Sequence, residues 1–171
     1  AMHVDSDTGR GTRVRLTLPV WDKYATVAPQ PEFAAEEAQV PPVGVVLYIE
    51  DNPVNMLLVE QMLFRWSGVK FVPAENGARG IELARSLLPD LVLLDMQLPD
   101  MTGFDVLQTL RGDSATQSLR IVALSASAMP EEIEHALRYG ASDYWTKPLD
   151  FDRFLSDVRR LLQSKTAQPV L

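Results

Sequence analysis

From residue 44 onward, short apolar runs alternate with longer segments in which apolar residues recur every three or four positions. Val45-Val46-Leu47-Tyr48-Ile49, Leu91-Val92-Leu93-Leu94 and Ile121-Val122-Ala123-Leu124 are too short for helices and apolar at every position, the pattern of strands buried on both faces of a parallel sheet. A helix is predicted to begin near Pro53, with Val59, Met62, Leu63 and Trp66 on one face and Gly68 at its exit. A strand near residues 70–74 follows, then a helix over about 78–88 with Ile81, Ala84 and Leu88 inward and Pro89 as its stop. Further helices are predicted over about 103–111, 131–139 and 150–163, and a short strand before Lys147. The last helix places Phe151, Phe154, Leu155, Val158 and Leu162 on one side. Alternating strands and helices imply crossover connections, so the expected fold is α/β: a flavodoxin-like doubly wound five-stranded parallel sheet with five helices.

The first 43 residues follow different rules. Gly9-Arg10-Gly11-Thr12 leads into strict alternation of Val14, Leu16 and Leu18, the period of a half-buried strand, and one strand alone does not fold stably. Residues 21–43 carry Pro29, Pro31, Pro41 and Pro42 with little apolar periodicity, which reads as a linker. The expected organisation is a tag and terminal strand over 1–20, a linker over 21–43, one domain over 44–164 and a tail over 165–171. A chain of 171 residues leaves room for one compact domain plus extensions.

Composition narrows the function. A net charge of −7 disfavours nucleic acid as a direct partner, since phosphate contacts need clustered Lys and Arg. Cysteine is absent, which excludes disulfides and thiolate metal sites. No stretch approaches the roughly 20 apolar residues of a membrane span, and Ala1-Met2-His3 opens no signal peptide, so a cytoplasmic protein is expected.

Polar chemistry gathers where the apolar runs end. Glu50 and Asp51 follow the first run and Asp95 the second, while Ser125 ends the third and Lys147 follows the last strand. In an open parallel sheet such positions converge beyond the carboxyl ends of the strands, however far apart they lie in sequence. Three carboxylates are hard oxygen ligands suited to Mg²⁺, and an ionised carboxylate can attack a phosphoryl group to form an acyl phosphate.

These motifs, spanning about 45–162, make the chain resemble the receiver domain of two-component response regulators. The resemblance implies that Asp95 is the phosphoacceptor and that Mg²⁺ is held by Glu50, Asp51, Asp95 and the backbone carbonyl of Gln97. It implies that Lys147 and the Ser125 hydroxyl contact the phosphoryl oxygens, and that Ser125 and Tyr144 carry the conformational switch. Ser125 stands where Thr is commoner, and Lys147-Pro148 is a candidate cis peptide. The implied donor is a phosphohistidine, on a histidine kinase core or a histidine phosphotransfer protein. Gly9-x-Gly11-Thr12 and the Leu18-Pro19 ending resemble the close of a histidine-kinase ATP-binding domain, which implies a hybrid sensor kinase as the parent chain. Residues 1–171 carry no ATP-binding motif or acceptor-histidine helix, so no ATPase or kinase activity is expected of them.

Two other functions compete. Phosphatases that form an aspartyl phosphate usually place a second Asp two residues after the first, where this chain has Gln97. A pseudo-receiver acting only by binding typically loses an acid or the Lys, and both are kept here. Asn52 and Asn55 fit either shaping the site or capping the helix, with capping preferred, and blander roles fit the rest: His135 on a solvated charged face, His3 in the tag, Trp66 in the core and Trp145 partly exposed near the site.

Overall fold

The computed structural model describes residues 2–7, 11–16 and 40–164. Leu18, residues 21–39 of the expected linker and the tail from 165 lie outside them. The chain divides into two units, residues 1–39 and 40–171.

In the first unit β1 (Met2–Asp7) pairs antiparallel with β2 (Gly11–Leu16), in register from Met2 opposite Leu16 to Asp7 opposite Gly11. β2 covers Val14 and Leu16 of the glycine-led alternation. β1 is new: it runs through His3, where the sequence predicts no element.

The second unit is built from β3 (Gly44–Ile49), α1 (Pro53–Leu63), β4 (Val69–Ala74), α2 (Gly77–Leu87), β5 (Leu91–Asp95), α3 (Gly103–Gly112), β6 (Ile121–Ser125), α4 (Pro130–Arg138), β7 (Asp143–Thr146) and α5 (Phe151–Gln163). All strand pairs are parallel and the order is β4-β3-β5-β6-β7. Five parallel strands and five helices match the expected doubly wound fold. The order reverses direction between β3 and β5, a topological switch point, and that is where this fold class binds ligands.

The core forms two layers with opposite strand parity. Val46, Tyr48, Leu91, Leu93, Val122, Leu124 and Trp145 face α1 and α5, where Val59, Met62, Phe154 and Val158 meet them. Leu47, Ile49, Val92, Leu94, Ile121 and Ala123 face α2, α3 and α4. Burial on both faces explains why these strands read as unbroken apolar runs.

Helix starts follow local capping chemistry. The Asn52 side chain accepts from the Val54 and Asn55 N–H groups, and Pro53 occupies the first turn, where its missing N–H costs nothing. Thr102 and Asp105 form a reciprocal capping box on α3, and Asp150 caps α5. Trp66 lies beyond the end of α1 in the turn before β4, yet it is buried as expected. Trp145, expected partly exposed, is buried: its indole N–H donates to Asp143 Oδ2 at 3.0 Å and its ring meets Phe154 edge-on. His135 also departs from the solvated role. It is half-buried between Phe104, near the start of α3, and Tyr139, just past the end of α4, at centroid distances of 4.5 and 4.6 Å.

Candidate phosphoryl-transfer site

Strand parity aims Glu50, Asp95 and Lys147 at one place. Each continues the pleat of its strand, two residues beyond Tyr48, Leu93 and Trp145, and the ladder extends through Glu50 N–H to the Ala74 carbonyl and Lys147 N–H to the Ser125 carbonyl. Glu50 and Asp95 are buried and Asp51 is exposed, and one oxygen from each lies within 4.8 Å of the others. The Lys147 ammonium donates to Glu50 Oε2 at 2.6 Å and to Asp95 Oδ2 at 2.7 Å.

The charges do not cancel. Three carboxylates face one ammonium, leaving two negative charges to be offset, which is the charge of one divalent cation. All-oxygen donors with one exposed member also suit a hard ion that retains water. The residues present therefore fit Mg²⁺.

Burial and hydrogen bonding pull the two buried acids apart. Burial pushes the Asp95 carboxyl up and Glu50's charge adds to that, so it lies above the usual range even though Lys147 and the Gln97 N–H oppose the shift. Burial acts in the same direction on Glu50, but hydrogen bonds from Lys147, Tyr48 and Asn55 outweigh it and hold this carboxyl below the usual range. Lys147, despite its burial, is held above the ordinary lysine value by Asp95 and Glu50. A bound cation would reverse the upward push on Asp95 and keep it ionised.

Other expected residues surround this centre. The Gln97 N–H donates to Asp95 Oδ1 at 3.0 Å, so its backbone turns directly over the carboxylate. Ser125 ends β6 beside Asp95 and is buried; its Oγ accepts from the Ser127 N–H at 3.1 Å. The Tyr144 hydroxyl donates to the Ser127 carbonyl at 2.9 Å, so Ser125 and Tyr144 connect through a single residue. The Lys147-Pro148 bond is cis.

Two contributors, Tyr48 and Asp100, escaped the sequence reading, and Asn55 took the less favoured of its two expected roles. Asn55 was expected either to shape the site or to cap α1, with capping preferred; its amide donates to Glu50 Oε1 at 3.1 Å, the site role, and Asn52 supplies the cap. Tyr48, assigned by pattern to the core, donates its hydroxyl to Glu50 Oε2 at 2.6 Å. A tyrosine two positions before a strand-end acid shares its face, and that spacing was the available signal. Asp100, in the loop after Asp95, accepts from the Gly77 and Ala78 N–H groups at 2.9 Å and ties that loop to the start of α2.

The response regulator receiver domain family matches residues 46–159, two thirds of the chain, and the match runs from the strand bearing Glu50 to the last helix. The chain belongs to the response regulator receiver family. It is a phosphoacceptor domain of two-component signalling, and its acidic pocket suits Mg²⁺ and aspartate phosphorylation. Among relatives, it is 32% identical over 117 residues to the polar-differentiation response regulator DivK of Brucella anthropi, covering 68% of this chain and 94% of DivK. The receiver domain of a sensor histidine kinase from Pseudomonas aeruginosa, solved with a magnesium ion coordinated in its active-site cleft, is 27% identical with a TM-score of 0.64, covering 71% of this chain and 98% of that one. The chemotaxis protein CheY4 of Vibrio cholerae shares the fold at 24% identity and a TM-score of 0.65, over 70% of this chain and 99% of CheY4. The receiver also has no helix among its described residues long and apolar enough to cross a membrane.

Proposed function

We propose that Asp95 accepts the phosphoryl group and that Glu50, Asp51, Asp95 and the Gln97 carbonyl hold Mg²⁺. One observation carries this reading: Glu50 and Asp95 both join the carboxylate cluster and the Lys147 ion pair, but Glu50 accepts from four donors whereas Asp95 accepts from two, Lys147 and the Gln97 N–H, which supports Asp95 as the acid with an oxygen left to attack. The magnesium ion in the Pseudomonas aeruginosa relative supports the metal assignment.

An Asp95 oxygen attacks the phosphorus of a phosphohistidine on a kinase core or phosphotransfer protein. As the O–P bond forms, the P–N bond breaks and its electron pair stays on the imidazole. Catalysis here is positioning and charge neutralisation rather than proton transfer. Lys147 offsets charge on the transferred oxygens, and Ser125 offers its hydroxyl once it leaves the Ser127 turn. When bound, Mg²⁺ neutralises the equatorial oxygens and relieves repulsion among the carboxylates.

The output is a switch, in which Ser125 turns toward the new phosphate and Tyr144 repacks. The hydrogen bonds linking Ser125, Ser127 and Tyr144 give that coupling a short path, and added charge acting on a two-state element is an established mechanism. The alternative output, relay of the phosphate to a second histidine, uses the same Asp95 chemistry. A hybrid sensor kinase in the cytoplasm remains our reading of the parent chain, supported by Gly9-x-Gly11-Thr12 leading into β2 and by the kinase origin of the Pseudomonas aeruginosa relative.

Borohydride trapping tests the acceptor. After phosphorylation with Mg²⁺, reduction converts an acyl-phosphorylated aspartate to homoserine, and peptide mapping is expected to find homoserine at position 95 alone. Homoserine at position 51, or none in a protein carrying phosphate, overturns the assignment.

A further inference from the structure

Packing does not account for the hydroxyl of Tyr48. β3 is otherwise Gly-Val-Val-Leu-Ile, and Tyr48 is fully buried with its ring 6.4 Å from that of Phe71, a position an apolar side chain would fill. A buried phenol needs an acceptor, and this one has a carboxylate rather than a backbone carbonyl. Its hydroxyl donates at 2.6 Å to Glu50 Oε2, the same atom that accepts from the Lys147 ammonium at 2.6 Å. On the other side Glu50 Oε1 accepts from the Asn55 amide at 3.1 Å and the Asn52 N–H at 3.3 Å. Two donors thus reach each oxygen of this one carboxylate, which fixes its orientation.

We infer that Tyr48 is a positioning residue of the phosphoryl-transfer site, fixing the Glu50 carboxylate between Lys147 and the cation-binding acids. This inference rests on the reading of Glu50, Asp51 and Asp95 as the Mg²⁺ site. Among the described residues the Tyr48 hydroxyl hydrogen-bonds to neither Asp51 nor Asp95, so it acts through Glu50. Without its hydroxyl, Glu50 loses the donor that shares Oε2 with Lys147. The carboxylate then turns toward the ammonium, and the three acids no longer present oxygens within reach of one ion. Partners that orient a metal ligand in this way typically change metal affinity or activity by about 10–100-fold when removed.

The test compares the full chain, Tyr48→Phe, Glu50→Gln and the double variant. Mg²⁺ affinity is measured by calorimetry, and the phosphorylation rate with phosphoramidate. Tyr48→Phe is expected to weaken Mg²⁺ binding about tenfold and to slow phosphorylation, while in the Glu50→Gln background the same substitution changes neither. Unchanged Mg²⁺ affinity and rate in Tyr48→Phe, or an equal effect in both Glu50 backgrounds, overturns the inference. Failure of the unsubstituted chain to bind Mg²⁺ overturns the site reading and this inference together, and is recognised in that arm alone. A second measurement needs no variant. The Tyr48 hydroxyl proton, assigned through its own ring protons, is expected as a slowly exchanging downfield NMR signal that shifts on Mg²⁺ addition. A signal indifferent to Mg²⁺ overturns the inference.

Discussion

Lys147 Nζ stands 2.7 Å from Asp95 Oδ2 although β6 runs between their strands, and the same ammonium reaches Glu50 Oε2. Lys147 is the only cation paired with either acid among the described residues. Its removal leaves two buried carboxylates facing each other. Breaking a buried pair from one side costs about 3–5 kcal/mol, and because Lys147 is 19% exposed we expect about 2–3 kcal/mol for Lys147→Met without metal. Urea unfolding with and without Mg²⁺ checks this: the loss is expected to shrink with Mg²⁺, which supplies the missing positive charge, while phosphorylation stays impaired.

Asp51 is the exposed member of the cluster, and among the described residues no hydrogen bond or ion pair uses it to hold the fold. Asp51→Ala is therefore expected to leave metal-free stability unchanged within about 0.5 kcal/mol. In the unsubstituted chain Mg²⁺ at a hundredfold excess over its dissociation constant stabilises by about 2.7 kcal/mol, and Asp51→Ala is expected to lose most of that gain. Thermal unfolding over a Mg²⁺ series measures both effects.

Gly103 joins the start of α3 to the acceptor strand. A Cβ there would fall 2.7 Å from Met96 Cα and 2.9 Å from the Asp95 carbonyl oxygen, both backbone atoms. The backbone has no side-chain rotamer with which to yield, so Gly103→Ala moves either α3 or the end of β5. Overpacking of this kind costs about 1–3 kcal/mol. The expected result is lower stability together with slower phosphorylation, checked by urea unfolding and phosphoramidate kinetics on the same samples.

The fold was legible because burial on both faces leaves an unambiguous mark. Runs such as Leu91–Leu94 admit no half-exposed alternative, and each ends where a polar group must find a partner. The convergence of Glu50, Asp51, Asp95 and Lys147 followed from that placement. What stayed hidden depends on pairing across distance or on a residue with two roles. Tyr48 looks apolar by position and serves as a donor. Asn55 fits a capping pattern, yet its amide reaches back to Glu50 because Asn52 already fills the cap. β1 has no apolar pattern that distinguishes its residues from a solvated start, and only its pairing with β2 makes it a strand. Asp100 meets the start of α2 across more than twenty residues, a contact that no local spacing encodes.

Asp100 also carries a pH dependence. The Ala78 N–H, then the Gly77 N–H, hold its carboxyl below the usual range. A depressed folded-state value means that its stabilisation is present above the unfolded value of about 3.9 and is lost as pH falls through the folded value. Asp100→Asn is therefore expected to be less stable than the unsubstituted chain at pH 7, with the gap closing in acid. The group is exposed, so the effect is small and screened by salt. Urea midpoints from about pH 7 down to about pH 3, with the gap expected to narrow below about 3.9, check both the sign and the window.

The central claim is that Asp95 takes the phosphoryl group with help from a divalent cation. Intact mass spectrometry after incubation with Mg²⁺ and phosphoramidate, run beside Asp95→Ala and beside a metal-free sample, measures it directly. The account predicts one acid-labile, base-labile and hydroxylamine-sensitive phosphoryl group in the unsubstituted chain, and none in either control. A phosphoryl group that persists in Asp95→Ala, or forms equally well without Mg²⁺, contradicts it.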